Sequence, residues 1–323
     1  MEPWQAQLAD SFTDPTDLLQ FLEISAPESV CEDAERRFPF RVTRSYAGRM
    51  RKGDIADPLL RQVLPLREEV VAAPGFSADP VGDRGAAVMP GILHKYQGRA
   101  LLLSTAMCAI GCRYCFRRDF PYGELQLSKT AEAEALAYIA VDRSIEEIIL
   151  SGGDPLLLGD RRIAGIVCKL ADIPHVQRVR VHSRVPVVLP SRITRSLIDG
   201  LIDRRVQLVM VIHANHPDEL DQEVVEALAR LRRAGFTMLN QAVLLRGVND
   251  DPEILVDLSD RLFRAGVLPY YLHLLDRARG TAHFEVSVDD ALILHERIRR
   301  RLPGYLVPRL AREEAGQPYK TLL

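Results

Sequence analysis

The sequence predicts an α/β protein built as a partial, open (β/α)6 barrel of TIM type with an N-terminal helical extension. Six short apolar runs alternate with amphipathic helical stretches along the chain beyond Gly91. Strand alternating with helix implies parallel strands joined by right-handed crossovers. Roughly 225 residues remain from Arg99 onward, which suits about six units better than the eight that typically need about 250 residues. A doubly wound open sheet has the same element order, and periodicity leaves that alternative open.

Residues 1–85 are rich in Pro, Asp and Arg, with weak helical patterning over Pro15 to Ile24 and Asp57 to Glu69, and form an accessory helical region. Composition shifts at Gly85 to Gly91, so residues 86–323 form the barrel unit. Its expected strands are Ala100 to Thr105, Glu147 to Ser151, Arg178 to His182, Leu208 to Ile212, Thr237 to Val243 and Leu268 to Leu272. The expected helices are Thr130 to Val141, Ile163 to Leu170, Ser191 to Asp203, Asp221 to Ala234 and Asp251 to Ala265. No internal repeat or low-complexity tract is visible.

With 47% hydrophobic and 27% charged residues, the 323-residue chain can bury a large core. Its 42 basic and 44 acidic side chains give no excess positive potential to draw in nucleic acid. Met1 to Phe12 carries Glu2 and Asp10 and lacks a basic region followed by an apolar stretch, so no secretory signal is visible. No apolar run approaches the roughly 18 residues of a membrane span. The expected location is the cytoplasm.

Three of the five cysteines sit within eight residues, as Cys108-Ala109-Ile110-Gly111-Cys112-Arg113-Tyr114-Cys115, directly after the first barrel strand. Barrel enzymes place their chemistry on such loops. In a reducing compartment a tight cysteine cluster reads as metal-binding or catalytic. Three thiolates at this spacing can wrap three corners of an iron–sulfur cubane and leave the fourth iron without a protein ligand. Zinc would need a fourth ligand, for which His94 or His182 could serve, but the spacing is not that of paired zinc ligands. Cys31 and Cys168 stand alone and read as incidental thiols.

The CxxxCxxC triplet with its aromatic Tyr114 resembles the signature of the radical S-adenosylmethionine superfamily. The resemblance implies a [4Fe-4S] cluster on Cys108, Cys112 and Cys115, an electron donor protein, and S-adenosylmethionine chelated by the open iron and cleaved to an adenosyl radical. The family's glycine-rich strand end that meets the cofactor amino group is matched by Ser151-Gly152-Gly153-Asp154-Pro155. His213, in Ile212-His213-Ala214-Asn215, matches a family histidine near S-adenosylmethionine. A capping or core-packed histidine is the alternative reading of that position.

Cys115-Phe116-Arg117-Arg118 and Pro90-Gly91-Ile92-Leu93-His94-Lys95-Tyr96 are similar to the lysine 2,3-aminomutase family, from about residue 57 to the end. Asp57-Pro58-Leu59-Leu60, His94-Lys95-Tyr96 and Leu306-Val307-Pro308-Arg309-Leu310-Ala311-Arg312-Glu313 resemble most the bacterial branch that makes β-lysine for modification of elongation factor P. The likeness implies pyridoxal 5'-phosphate held as a Schiff base by Lys320. Only five lysines stand against 37 arginines, and the bond requires a primary amine, which arginine cannot supply. By the same carry-over Arg99, Gln241 and Tyr96 meet the pyridoxal phosphate, and Lys95 stands where the family has an arginine. Arg117 matches the arginine that grips the substrate carboxylate, and Asp276 and Glu313 match two acids that grip the distal ammonium of lysine. Glu313 replaces what is more often aspartate.

The implied reaction is a 1,2-amino migration that turns L-lysine into β-lysine. Larger members of the family bind zinc between subunits through cysteines beyond the pyridoxal lysine; this chain has none there, so no such zinc is expected and any homo-oligomer must be held otherwise. An aminomutase for another amino acid, such as glutamate, is the enzymatic rival, but Asp276 and Glu313 would repel an acidic side chain. A non-catalytic iron–sulfur protein that only passes electrons or binds a partner is the other rival. It would have no use for Lys320 and Arg99.

Overall fold

Every strand expected from the sequence pairs with its neighbour in the chain. The computed structural model describes residues 2–125, 127–128, 130–202 and 204–323. Among them, ten strands make one sheet in unbroken chain order. It opens with an antiparallel pair, β1 (Ala87–Met89) and β2 (Ile92–Tyr96). Six parallel strands follow: β3 (Arg99–Thr105), β4 (Glu147–Gly152), β5 (Arg178–Ser183), β6 (Gln207–Ile212), β7 (Thr237–Val243) and β8 (Leu268–His273). A seventh parallel strand, β9 (Arg309–Arg312), pairs with β8, and β10 (Thr321–Leu322) turns back antiparallel on β9. A doubly wound sheet reverses its strand order at a switch point; this order never reverses, which excludes that alternative. Among the described residues no pairing joins β1 to β10, so the barrel stays open.

Helices Ala131–Val141, Asp160–Ala171, Arg195–Leu201, Gln222–Arg233 and Pro252–Arg264 form the crossovers; four lie within the stretches the periodicity marks, and Asp160–Ala171 extends beyond the expected Ile163 to Leu170 by three residues at its start and one at its end. Gln222–Arg233 illustrates why. Asp221 caps it by accepting the Val224 amide at 2.9 Å, and Val224, Ala227, Leu228 and Leu231 make one buried face at helical spacing. The stretch Ser191 to Asp203 resolves into a 3-10 turn, Pro190–Arg192, and a shorter helix capped by Thr194. Its last residue, Asp203, lies outside the described residues. A sixth helix, Val288–Arg299, joins β8 to β9.

The N-terminal region consists of short helices Pro3–Ala9, Pro15–Phe21, Glu32–Arg37, Arg44–Ala47 and Pro58–Arg61. Trp4, Leu18, Tyr46 and Leu60 are buried in the same continuous core as Ile148, Val179 and Leu272 of the barrel. Among the described residues no helix is long and apolar enough to cross a membrane.

Candidate active site

Strand alternation builds the site. One face of the parallel strands, represented by Ile148 and Leu150 on β4 and Val179 and Val181 on β5, is buried in the core. The alternate residues Glu147, Ile149 and Ser151, Arg180 and His182, Gln241 and Val243, and Tyr271 and His273 line a cavity of about 1150 Å³ inside the open barrel. The same cavity is walled by the cysteine loop, by Tyr96 and Arg99, and by Tyr319 to Leu322 of the C-terminal hairpin.

Backbone contacts from the N-terminal region hold the cysteine loop. Gly111 N–H donates to the Arg41 carbonyl at 2.8 Å and Arg113 N–H to the Gln62 carbonyl at 2.9 Å. A Cβ on Gly111 would stand 2.7 Å from the Pro39 carbonyl oxygen, so only glycine allows this approach. The wholly buried Arg113 guanidinium donates to both carboxylate oxygens of Glu69, at 2.8 and 2.6 Å, and to the carbonyls of Phe38 and Ala34. Cys108 is an exposed residue on the cavity wall, yet the protein crowding its thiol, and then the charge of neighbouring Cys115, push that thiol well up; burial and neighbouring Cys112 push Cys115 up to about 11. Cys112 has a donor instead: Arg184 Nη1 lies 2.8 Å from its sulfur. Arg184 also donates to Gln62 Oε1 at 2.7 Å and Glu219 Oε2 at 3.0 Å, which fixes a buried cation beside the loop. Among the described residues no three His, Cys, Asp or Glu side chains converge on one metal ion. Thiolates that each bind a different iron of a cubane stand further apart than the ligands of a single ion, so three mutually repelling cysteines around a cavity wall suit a cluster.

At the end of β4, Gly152 has φ +120° and its Cβ would lie 2.4 Å from the Thr105 carbonyl oxygen; that of Gly153 would lie 2.3 Å from the Met107 carbonyl oxygen. The glycine pair thus lets β4 press against the chain entering the cysteine loop. Asp154 lines the cavity, yet its carboxylate faces the scaffold, where it accepts Ser183 Oγ at 2.7 Å and the amides of Leu156, Arg184 and Val185. Burial outweighs those donors and lifts Asp154 to about 6. His213 stacks on Tyr114 and shares a 2.9 Å hydrogen bond with its hydroxyl; burial, with Arg184 nearby, lowers His213 to about 3 and keeps it neutral.

Lys320 arrives by a hairpin. β10 pairs Thr321 with Arg312 of β9, which brings Lys320 onto Glu313 in an ion pair. The other Glu313 oxygen accepts Lys95 at 2.8 Å, and Lys95 reaches on to Asp83 at 2.5 Å and the Val81 carbonyl at 2.8 Å. All three Lys95 donors therefore bond protein oxygens. Arg117 closes the chain, with Nε on Asp83 at 2.7 Å and Nη1 on Ser151 Oγ at 3.2 Å. Arg99 lies over the Tyr96 ring at 4.7 Å. Among the described residues neither the Arg99 guanidinium, the Gln241 amide nor the Asp276 carboxylate takes a hydrogen bond, although all three line the cavity. Burial alone would raise Glu313, but Lys320 and Lys95 bring it down to about 2; burial and then the Glu313 charge raise Asp276 to about 7.

Every site residue singled out in the sequence therefore lines one cavity. Sequence reasoning passed over two that the structure adds, Asp83 and Arg184. Arg184 follows the end of β5 directly, a position that invites suspicion in any barrel. Asp83 lies in a stretch with no periodicity and left no such signal.

An open parallel barrel with a cysteine triplet on the loop after its first parallel strand, facing a glycine-turned second strand, defines a radical S-adenosylmethionine enzyme. Residues 102–258 match the family model of the Radical SAM superfamily. The chain is 49% identical to an L-lysine 2,3-aminomutase of Escherichia coli over 100% of its own length and 94% of that protein. It is 46% identical to one of Haemophilus influenzae, over 99% and 95% of the two chains, and 33% identical to one of Clostridium subterminale, over 98% and 77%. The chain belongs to the L-lysine 2,3-aminomutase family, a family of isomerases.

Proposed function

We propose that this protein converts L-lysine to β-lysine, with a [4Fe-4S] cluster on Cys108, Cys112 and Cys115 and pyridoxal 5'-phosphate on Lys320. The observation that carries the reading is the shared cavity: the cysteine loop, the hairpin amine and a pair of acids face one another across it. The cluster with S-adenosylmethionine supplies a hydrogen-abstracting radical, and pyridoxal supplies an electron sink for amino migration. The chain's own residues bind, orient and exclude water. Arg117 takes the α-carboxylate, Asp276 and Glu313 the distal ammonium, and Arg99, Tyr96 and Gln241 the pyridoxal phosphate. Support for Arg99 and Gln241 lies in their unbonded polar groups at the cavity wall, since a phosphate needs free donors. Gly152, Gly153 and the Asp154 turn, with Tyr114 and His213, shape the S-adenosylmethionine end.

The partners proposed are an electron donor protein and, for the product, the modification of elongation factor P, on the likeness of the segments around residues 57–60, 94–96 and 306–313. All five cysteines are free thiols, in keeping with a reducing cytoplasm. Anaerobic incubation with lysine, dithionite, pyridoxal phosphate and S-adenosylmethionine, followed by mass analysis with chiral derivatisation, is expected to yield β-lysine. Iron- and sulfide-replete protein that forms none would overturn the reading.

A further inference from the structure

We propose that Asp83 is a positioning residue that aims Arg117 at the carboxylate of an amino-acid substrate and uses Lys95 to offset its own charge. The inference rests on the function proposed above. Asp83 is 3% exposed and precedes the turn Arg84–Ala86, yet its carboxylate caps no amide there. One oxygen instead accepts Arg117 Nε at 2.7 Å and the other accepts Lys95 Nζ at 2.5 Å. An acid buried this deeply without local backbone bonds is held for its two cations.

The geometry at Arg117 is that of an oriented fork. Asp83 engages the Nε edge, Ser151 Oγ accepts from Nη1 at 3.2 Å, and the rings of Phe116 and Phe120 lie 4.9 and 5.9 Å from the guanidinium carbon. Among the described residues Nη2 has no hydrogen-bond partner, and Arg117 lines the cavity. The terminal edge is thus presented to a ligand, the edge on which a carboxylate docks with two parallel bonds. Asp83 alone would repel that carboxylate. With Lys95 beside it, two cations face one anion, and a net positive charge greets the incoming group. Lys95 passes the linkage on through Glu313 to Lys320, so one chain of alternating charges connects the carboxylate end of the site with its amine end.

The test compares ligands that differ only at the carboxylate. Protein loaded with pyridoxal phosphate, without S-adenosylmethionine, is titrated with L-lysine and with L-lysinamide, and the change in pyridoxal absorbance reports binding. The wild type is expected to prefer lysine. Asp83→Asn should weaken lysine about tenfold, the scale of one charge-assisted hydrogen bond, and leave lysinamide within about twofold. A merely structural role would weaken both ligands alike, and that result, or an unchanged preference, overturns the proposal. Lys95→Met provides a second route should Asp83→Asn not fold: it leaves Asp83 unopposed beside Arg117, and the preference for lysine should fall there too. Wild-type protein whose pyridoxal spectrum ignores lysine altogether sinks the aminomutase reading and this inference with it; wild type that responds, with variants that keep its preference, sinks the role of Asp83 alone.

Discussion

Two acids stand side by side at the amine end of the cavity in opposite electrostatic conditions. Glu313 has Lys95 and Lys320 on its two oxygens, whereas the Asp276 carboxylate, among the described residues, has no bonded partner and feels the charge of Glu313. Burial first, and then the Glu313 charge, push Asp276 up to about 7, with Lys320 and Lys95 opposing and Asp83 reinforcing the rise. A lysine ammonium prefers the ionised form, so lysine affinity should climb as pH rises through about 7 and then level off. Asp276→Asn should bind more weakly, with a flat profile, in absorbance titrations from about pH 6 to 8. Stability runs the other way. A carboxyl that holds its proton more tightly when folded contributes most below its ordinary value and loses that contribution as pH climbs through about 7. The wild-type melting temperature, referenced to Asp276→Asn, should thus decline over that window. Residues of this kind differ in how legible they are. Cluster chemistry demands several thiolates close in sequence, which the triplet displays openly. Asp83 acts through space on Arg117 and Lys95, and nothing near it in the sequence anticipates partners from β2 and the cysteine loop.

At the level of elements, the six parallel strands are readable because each carries an apolar face buried against the crossover helices. β9 and β10 escaped for the opposite reason. Arg309–Arg312 sets two apolar residues between two arginines over only four positions, with no strand period to read, and Thr321–Leu322 is shorter still, so both are strands by pairing rather than by propensity. Helix Val288–Arg299 has a Ser287 cap and an acidic first turn, but Leu292 and Ile293 are exposed while Ala291, Leu294 and Ile298 are buried, and apolar residues on both faces blur the period. The glycine turn after β4 makes a sharp demand on local geometry. In Gly153→Ala the new Cβ meets the Met107 carbonyl oxygen at 2.3 Å, backbone against backbone, and no side chain can swing aside. A cost of about 1–3 kcal/mol is expected, with a lower melting temperature and less iron retained after anaerobic reconstitution. Full iron content at an unchanged melting temperature would refute the claim that this turn sets the cysteine loop.

The whole molecule behaves as one body because the region before the barrel supplies the wall against which the cluster loop is shaped. Sequence composition marks residues 1–85 as accessory; packing gives them a larger part. Arg41 and Gln62 accept the loop amides of Gly111 and Arg113, and Glu69 binds Arg113 and, at 2.7 Å, Arg118. These partners lie some forty or more residues away along the chain, which is why no local pattern exposes them. Glu69 and Arg113 have side chains 1% and 0% exposed, so neither charge can fall back on water. Glu69→Gln keeps the shape and removes the charge, leaving two arginines crowded in a dry pocket. Breaking a buried pair from one side costs about 3–5 kcal/mol, well above what a surface ion pair contributes. The denaturation midpoint should drop accordingly. Because the strain falls on the segment between Cys112 and Cys115, the iron-to-protein ratio should drop as well, more than in a variant of an exposed pair such as Arg36 with Asp33. Should Glu69→Gln lose stability yet bind its full complement of iron, the N-terminal region would be a prop for the core and not the mould of the cluster loop.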